Sequence, residues 1–368
     1  MHLQHDVSRM SHLGWTSFFE SQHRQLGEHL ENVVPARVVL ASRGLLHVLG
    51  PHGTRRAVLA GKLRHDAVDA SELPVVGDWV GLRGDSLAEP LPVVHRFERT
   101  SSLTRKEAGR RTRPQVLVAN VDTVLIVSAL TAELNVRRIE RFVATVLEGG
   151  ATPVIVLNKA DLCENPEPLF HAVSEVAGST QMIITSAATG AGIDSIRALA
   201  RRGETLAMVG ASGVGKSALT NCLLEEEGHQ REGAVRVADE RGRHTTTHRE
   251  LFVLPSGALL IDTPGLRELA LWSDDVAASP RGFDEIDALA EACAFRDCKH
   301  ETEPGCAILG ALASGELSED RFLSWRKLEA EQRWLSARRG TDEARQQKQR
   351  NRMMGKMSRQ VQRMKGNR

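Results

Sequence analysis

One octapeptide constrains this chain more than any other feature. Gly210-Ala-Ser-Gly-Val-Gly-Lys-Ser217 fits the pattern G-x-x-x-x-G-K-[ST], with the apolar run LAMV before it and ALTNCLL after it. Such a loop works as the turn between a buried strand and a helix. Its glycines let backbone N–H groups and the positive end of the helix converge on an anion. Lys216 is placed to reach the β- and γ-phosphates of a nucleotide, and the Ser217 hydroxyl to ligate Mg²⁺. The flanking sequence agrees. VLVANVDTVLIVSAL, TPVIVLNKADL, QMIITSAATG and GALLIDTPGL are apolar runs ending in polar loops, with helical patterns such as NVRRIERFVATVLEGG between several of them. Strands buried on both faces read this way, so an α/β domain with a mostly parallel sheet is expected.

A phosphate loop does not select a base. Asn158-Lys-Ala-Asp161, directly after TPVIVL, does. A buried Asp161 carboxylate accepts hydrogen bonds from the N1–H and exocyclic amine of guanine. Adenine offers neither donor there and would leave the carboxylate unpaired. Asn158 braces this loop and the Lys159 stem covers the ring. Ser186-Ala187-Ala188, ending the strand QMIIT, supplies small residues beneath the base. Asp262-Thr-Pro-Gly265 follows ALLI; Asp262 is placed to hold Mg²⁺ through water, and the Gly265 N–H to meet the γ-phosphate. A guanine nucleotide is the expected ligand.

The order of these motifs is unusual. In ordinary GTPases the phosphate loop comes first and the base-reading loop near the end, whereas here positions 158 and 186 precede 210, and 262 comes last. Ligand loops converge in space, so moving the chain break leaves the cleft intact. A circularly permuted GTPase domain is therefore predicted. Gly242-Arg-His-Thr-Thr-Thr-His248 lies between the phosphate loop and D-x-x-G, as a nucleotide-sensing segment does. Thr246 is the favoured Mg²⁺ ligand there, with Thr245 and Thr247 beside it. The residue after Gly265 is Leu266, so the glutamine that many GTPases use to orient water is missing. His244 is the candidate catalytic residue that positions or deprotonates this water. His248 is the second candidate, and an ordinary loop histidine the plain alternative.

Cys293-x4-Cys298-x-His300-x5-Cys306 offers three thiolates and one imidazole at short spacing. This is a closed tetrahedral zinc set with no open position for catalysis, so one structural zinc is expected. Cys163 and Cys222 fall outside it and read as packing residues. Cysteines grouped this way point to metal in a reducing compartment rather than to disulfides.

The rest of the chain divides by texture. Residues 1–34 form an N-terminal extension around the amphipathic stretch LGWTSFFESQ, read as a helix lying on the next domain. From Arg37 to Phe97 the runs RVVLA, LLHVLG, RAVLAG, DWVGL and LPVVHRF alternate with Gly, Pro and Asp punctuation, which predicts a small OB-like β-barrel. A basic linker of seven arginines and lysines (Arg96 to Arg113) completes the 35–113 unit, either as a solvated connector or as a phosphate-contacting surface. The permuted GTPase domain is assigned to 114–279 and a zinc-binding helical module to 280–340, where Trp325, Leu328 and Leu335 share a helix face. In residues 341–368 nine basic side chains meet two acidic ones, a nucleic-acid-seeking tail expected to be flexible. Tyrosine is absent and aromatics are 4% of the chain, which argues against an aromatic base-stacking platform. No apolar run approaches the length of a membrane span, and MHLQHDVSRM lacks the layout of a secretion signal, so a cytoplasmic monomer with no membrane partner is expected.

The series N-K-A-D, S-A-A, G-A-S-G-V-G-K-S, G-R-H-T-T-T, D-T-P-G, then C-A-F-R-D-C-K-H-E-T-E-P-G-C resembles the circularly permuted GTPases of the ribosome small-subunit-dependent GTPase A family (RsgA/YjeQ). The likeness covers roughly residues 35–330, and PVVGDWV at 74–80 resembles that family's barrel signature. The resemblance implies an OB-fold, a permuted GTPase domain and a zinc module that dock on the small ribosomal subunit. It also implies GTP hydrolysis stimulated by that subunit, and a role in its late maturation. It carries nucleotide contacts onto Asn158, Lys159, Ala160 and Asp161 and onto Gly210, Ala211, Ser212, Gly213, Val214, Gly215, Lys216, Ser217 and Ala218. It carries zinc ligation onto Cys293, Cys298, His300 and Cys306, and catalysis onto His244. Binding of rRNA by the tail is an inference from charge alone. Two other readings stay open: a nucleotide-regulated RNA-binding adaptor with negligible hydrolysis, supported by the missing glutamine, and an ATP-using P-loop enzyme, disfavoured by Asp161.

Overall fold

The computed structural model describes residues 8–27, 32–42, 44–67, 69–84, 89–106, 114–132, 134–224, 249–262, 282–330 and 333. The five short β-type runs become five strands after the N-terminal helix α1 (Ser17–Gly27): β1 (Val33–Ser42), β2 (Leu45–Gly50), β3 (Gly53–Leu59), β4 (Trp79–Arg83) and β5 (Leu91–Arg96). β1, β2 and β3 form an antiparallel meander, β5 runs parallel to β3, and β4 closes the ring by pairing with both β5 and β1. A short helix, α2 (Gly61–Asp66), follows β3. Successive side chains on a strand point to opposite faces. One set, including Ala36, Val38, Leu46, Val48, Val80, Leu82 and Val93, therefore fills the barrel.

The expected connector is partly a two-stranded ribbon, β6 (Ser102–Lys106) against β7 (Pro114–Ala119). Its arginines are also more committed than charge counting suggested. Arg99 forms a largely buried ion pair with Asp78 at 2.7 Å, Arg96 donates to the Glu72 carbonyl at 2.9 Å, and Arg105 donates to Gln115 at 2.9 Å. Arg99 ties the linker to the barrel, Arg96 braces the barrel itself, and Arg105 joins the two strands of the ribbon. Residues 107–113 lie outside the described residues.

The second large unit contains β8 (Thr123–Ala129), helix α3 (Val136–Glu148), β9 (Thr152–Asn158), α4 (Glu167–Ala177), β10 (Gln181–Ile184), α5 (Ile193–Leu199), β11 (Thr205–Val209), α6 (Lys216–Leu224), β12 (Glu250–Val253) and β13 (Leu259–Asp262). The strand order is β10-β9-β8-β11-β13-β12, all parallel except β12, which also pairs with β1 of the barrel. Val124, Leu125, Ile126 and Val127 are all buried because helices cover both faces. One face packs on α3 and α4 through Ile139, Phe142, Val143 and Val173, and the other on α5 and α6 through Ile193, Ile196, Leu219 and Leu223. From β8 the chain builds outward through β9 and β10; from β11 it builds the other way through β12 and β13. The reversal opens a crevice at the carboxyl ends of β8 and β11, where ligands of such sheets bind.

Two buried arginines join the units. Arg37 on β1 is 1% exposed and donates to the Leu13 carbonyl, to the Asn120 carbonyl and Thr205 Oγ1 at 2.8 Å each, and to the Gly77 carbonyl at 3.3 Å. Burial pulls its pKa down to about 10, against the opposing pull of Asp122 and Asp78. The N-terminal segment completes this joint, with Trp15 packed edge-on against Trp79 (4.7 Å between ring centroids) and Phe97 (5.4 Å). At the other end, α7 (Asp284–Glu291), α8 (Ala307–Ser314) and α9 (319–330) build a small module around Phe283, Ile286, Ile308, Phe322, Trp325 and Leu328. Leu335, expected on the same face, and residues 341–368 lie outside the described residues. Arg321 on α9 contacts Glu140 of α3 and Glu285 of α7 at 2.6 Å each, and the Gly282 carbonyl at 2.6 Å. Its guanidinium lies 4.0 Å from the centre of the Phe283 ring.

Replacing Arg37 by methionine leaves several carbonyls and a hydroxyl buried without donors. Each such group costs about 1–3 kcal/mol, so urea unfolding of Arg37→Met is expected to show a loss of at least about 3 kcal/mol. Arg37→Lys, which restores one or two of these contacts, recovers part of it.

Candidate functional site

The phosphate loop leaves β11 at Gly210 and enters α6 at Lys216. Neighbouring backbone and side chains dictate two of its glycines. A Cβ on Gly210, which has φ +148°, would stand 2.1 Å from the Val127 carbonyl oxygen; on Gly215, at φ +100°, it would stand 2.2 Å from Asn158 Nδ2. The loop is shaped around its own lysine. Lys216 Nζ donates to the carbonyls of Gly210 (2.9 Å) and Ala211 (2.7 Å). Ser217 and Ala218 follow in the first turn of α6.

Asn158 ties this loop to the two base-reading loops. It ends β9, is 1% exposed, and donates through Nδ2 to the Val214 carbonyl at 2.9 Å. Its Oδ1 accepts from the Ala187 N–H at 3.0 Å and from Thr185 Oγ1 at 3.2 Å, while its main-chain carbonyl accepts from the Leu130 N–H at 2.7 Å. Lys159 turns the chain through the left-handed region (φ 65°), and the Ala160 N–H donates to the Thr185 carbonyl at 3.0 Å. Asp161 Oδ1 accepts from Ser186 Oγ at 2.5 Å, and Ser186 Oγ accepts from the Thr189 N–H at 3.2 Å. The sequence reading expected a buried Asp161. Asp161 is instead exposed among the described residues; a ring laid across the loop is what would bury it. Ala188 is exposed beside it. Thr185, fully buried and bonded to Asn158, was not singled out from the sequence. A hydroxyl one residue before S-A-A was the available signal.

Asp262 ends β13. Register places Ile261 opposite Ala207 on β11, so the D-x-x-G segment and the phosphate loop leave from adjacent strand ends. Gly265, Thr246 and His244, with the neighbouring Thr245, Thr247, His248 and Leu266, lie outside the described residues. The crevice itself encloses about 520 Å³, within the usual range for a small-molecule site. Its lining includes Ser128, Asn135, Arg138 and Lys159 together with Ala211 to Val214. It lies at the switch point of the sheet, on the α3 side of the phosphate loop.

Cys293, Cys298, His300 and Cys306 converge in the C-terminal module, with one donor atom from each within 4.8 Å of all the others. Cys293 Sγ is 3.8 Å from Cys306 Sγ and 3.6 Å from His300 Nδ1, which is 3.4 Å from Cys306 Sγ. Thiolate and imidazole ligands at about 2.3 and 2.0–2.1 Å from a tetrahedral ion stand roughly 3.5–3.8 Å apart. The donor set therefore fits a metal of soft or borderline type. Glu303 organises the ligand loop, its carboxylate accepting from the N–H groups of Lys299, Glu301 and Thr302 at 2.8–3.0 Å, and these bonds hold its pKa down to about 2.

Asn158→Ala should leave the Val214 carbonyl and the Ala187 N–H unpaired, lowering stability by about 2–3 kcal/mol and weakening nucleotide binding in the same protein, as read by melting and by titration. Cys306→Ser should reduce bound metal from one ion per chain to none. It should also raise hydrogen exchange across 283–330, while exchange in β8, β9 and β11 stays protected.

The sequence profile of the RsgA GTPase family matches residues 96–272. A profile of ABC transporters matches 193–359, a stretch that includes the phosphate loop. A small ribosomal subunit biogenesis GTPase RsgA from Syntrophotalea carbinolica is 43% identical, the alignment covering 87% of this chain and 88% of that one. The protein of the same name from Opitutus terrae is 42% identical over 89% and 91%. Among solved structures, YjeQ from Thermotoga maritima superposes with a TM-score of 0.61 at 26% identity, covering 82% of this chain and 98% of that one. YloQ, described as a circularly permuted GTPase, shares the fold with a TM-score of 0.59 at 24% identity over 82% and 96%. Likeness at this level runs nearly end to end in the relatives, and so the chain belongs to the RsgA family of GTPases.

Proposed function

We propose that this chain binds and hydrolyses GTP and serves as a maturation factor for the small ribosomal subunit. The observation that carries the reading is Asn158, whose one side chain fastens the phosphate loop to both loops that would hold a base. Asp161 reads the guanine N1–H and amino group. Lys159 covers the ring, Ala160 positions Asp161, and Ser186, Ala187 and Ala188 lie beneath the base. Gly210 to Ala218 wrap the phosphates, and Lys216 exchanges its two loop carbonyls for the β- and γ-phosphates. Ser217 and Thr246 would hold the magnesium that accompanies GTP, Asp262 would reach it through water, and the Gly265 N–H meets the γ-phosphate. That ion neutralises charge on the phosphates. His244 positions the attacking water in place of the missing glutamine.

Three thiolates and one imidazole suit zinc, which would fasten the ligand loop to the small apolar core of this module. The barrel with its ribbon, the permuted GTPase unit and the metal module form three working parts, with the basic tail 341–368 contacting rRNA. No helix among the described residues is long and apolar enough to cross a membrane. The relatives are named for small-subunit biogenesis, and the reading for this chain is the same: a cytoplasmic monomer docking on the small subunit and its rRNA.

Purified small subunits should raise GTP turnover many-fold over a slow intrinsic rate. Equal rates with and without them, at saturating GTP, would remove the subunit from the reading. Turnover that stays negligible under both conditions would favour a nucleotide-regulated adaptor. Lys216→Ala should weaken GTP binding on the order of 100-fold, measured by equilibrium titration.

A further inference from the structure

The first turn of α3 carries two arginines in succession, Arg137 and Arg138, at the end of a helix where the macrodipole disfavours cations. Asn135 caps the helix, its Oδ1 accepting from the Arg138 N–H at 2.9 Å. The charge on Arg137 is matched locally. It lies 2.8 Å from Asp320 of the metal module and 3.7 Å from Glu140. Arg138 has no such match: among the described residues its side chain makes no ion pair and no hydrogen bond. It is exposed, and it lines the crevice at the switch point together with Lys159 and the phosphate-loop residues Ala211 to Val214.

We propose that Arg138 is a further phosphate-contacting residue of the nucleotide site, its guanidinium donating to the phosphate chain from the α3 side of the crevice. The proposal rests on the reading of this site as a GTP site. Its argument is electrostatic and geometric. An anion in the cleft would offset a cation set against the helix dipole, and that cleft is bordered by the phosphate-loop residues Ala211 to Val214. The planar fork of guanidinium donors matches phosphate oxygens, where an ammonium such as Lys216 acts as a point charge. The site would then approach the phosphates with two cations from two elements: Lys216 from α6 and Arg138 from α3. Neighbouring positions on one helix turn would serve different partners, Arg137 the metal module and Arg138 the ligand.

The test uses the full-length chain with its metal, comparing wild type with Arg138→Gln, Arg138→Lys and Arg137→Gln. Arg138→Gln is expected to raise the dissociation constant for GTP by about tenfold and to flatten its dependence on salt. Arg138→Lys should recover part of both effects. The melting temperature should stay at the wild-type value, since the side chain is exposed, and Arg137→Gln should leave GTP affinity unchanged. An Arg138→Gln protein with wild-type GTP affinity and salt dependence overturns the proposal. So does one whose only defect is in stimulation by small subunits, because the guanidinium would then face the RNA of the particle. A wild-type chain that bound no GTP would overturn the reading of the site itself, and the arginine's role with it.

Discussion

Three loops far apart in sequence must keep a fixed spacing for this cleft to exist, and one buried amide sets it. Asn158 spends both ends of its side chain on other segments, donating to the phosphate loop and accepting from the residues around Ser186. Aspartate there would lose the donor and repel the Val214 carbonyl. Glutamine would overshoot by a methylene in a position with no free space. The same amide explains why Gly215 cannot carry a side chain, since a Cβ there would collide with Asn158 Nδ2. The glycine usually credited to the phosphate is thus required by the protein before any ligand arrives.

The units around the cleft are joined by polar contacts at buried points. Arg37 satisfies carbonyls from the N-terminal segment, the barrel and the β7–β8 connection, together with the Thr205 hydroxyl at the start of β11. Arg321 does the equivalent between α3 and the metal module. Guanidinium suits both places because its donors spread in a plane and reach several acceptors at once. Apolar side chains could fill the same volume but would leave those acceptors unpaired. Such joints favour one relative placement of the units over many.

Local pattern revealed what local physics determines. The five barrel strands were legible from turn residues and the parallel strands from unbroken apolar runs. The metal ligands stood out because their chemistry is confined to fourteen residues. What escaped depends on distant partners. VLVANVDTVLIVSAL reads as one run, yet it is two strands, β7 and β8, broken where Asn120 turns at φ 54° to bond the Thr100 N–H and the Gly77 carbonyl. Arg99 reads as a linker charge, and only the fold shows Asp78 waiting for it. Thr185 carries no motif at all, because its role is to hold Asn158. Asp161 is expected to be buried but is exposed and bonded to Ser186, since the chemistry of base recognition describes the loaded cleft rather than the chain alone.

The permuted order places the metal module after the nucleotide-binding motifs in sequence. β13 is the last described strand of the sheet in chain order and lies beside the phosphate-loop strand β11. That module returns to the sheet by seating Arg321 on Glu140 of α3, the helix that follows β8, and β8 is the other neighbour of β11. The module is therefore seated on one flank of the phosphate loop, through a buried ion pair with α3. Breaking the ion pair would strand Glu140, which is 2% exposed, without its main counter-charge. Small displacements of the module against α3 are thus resisted.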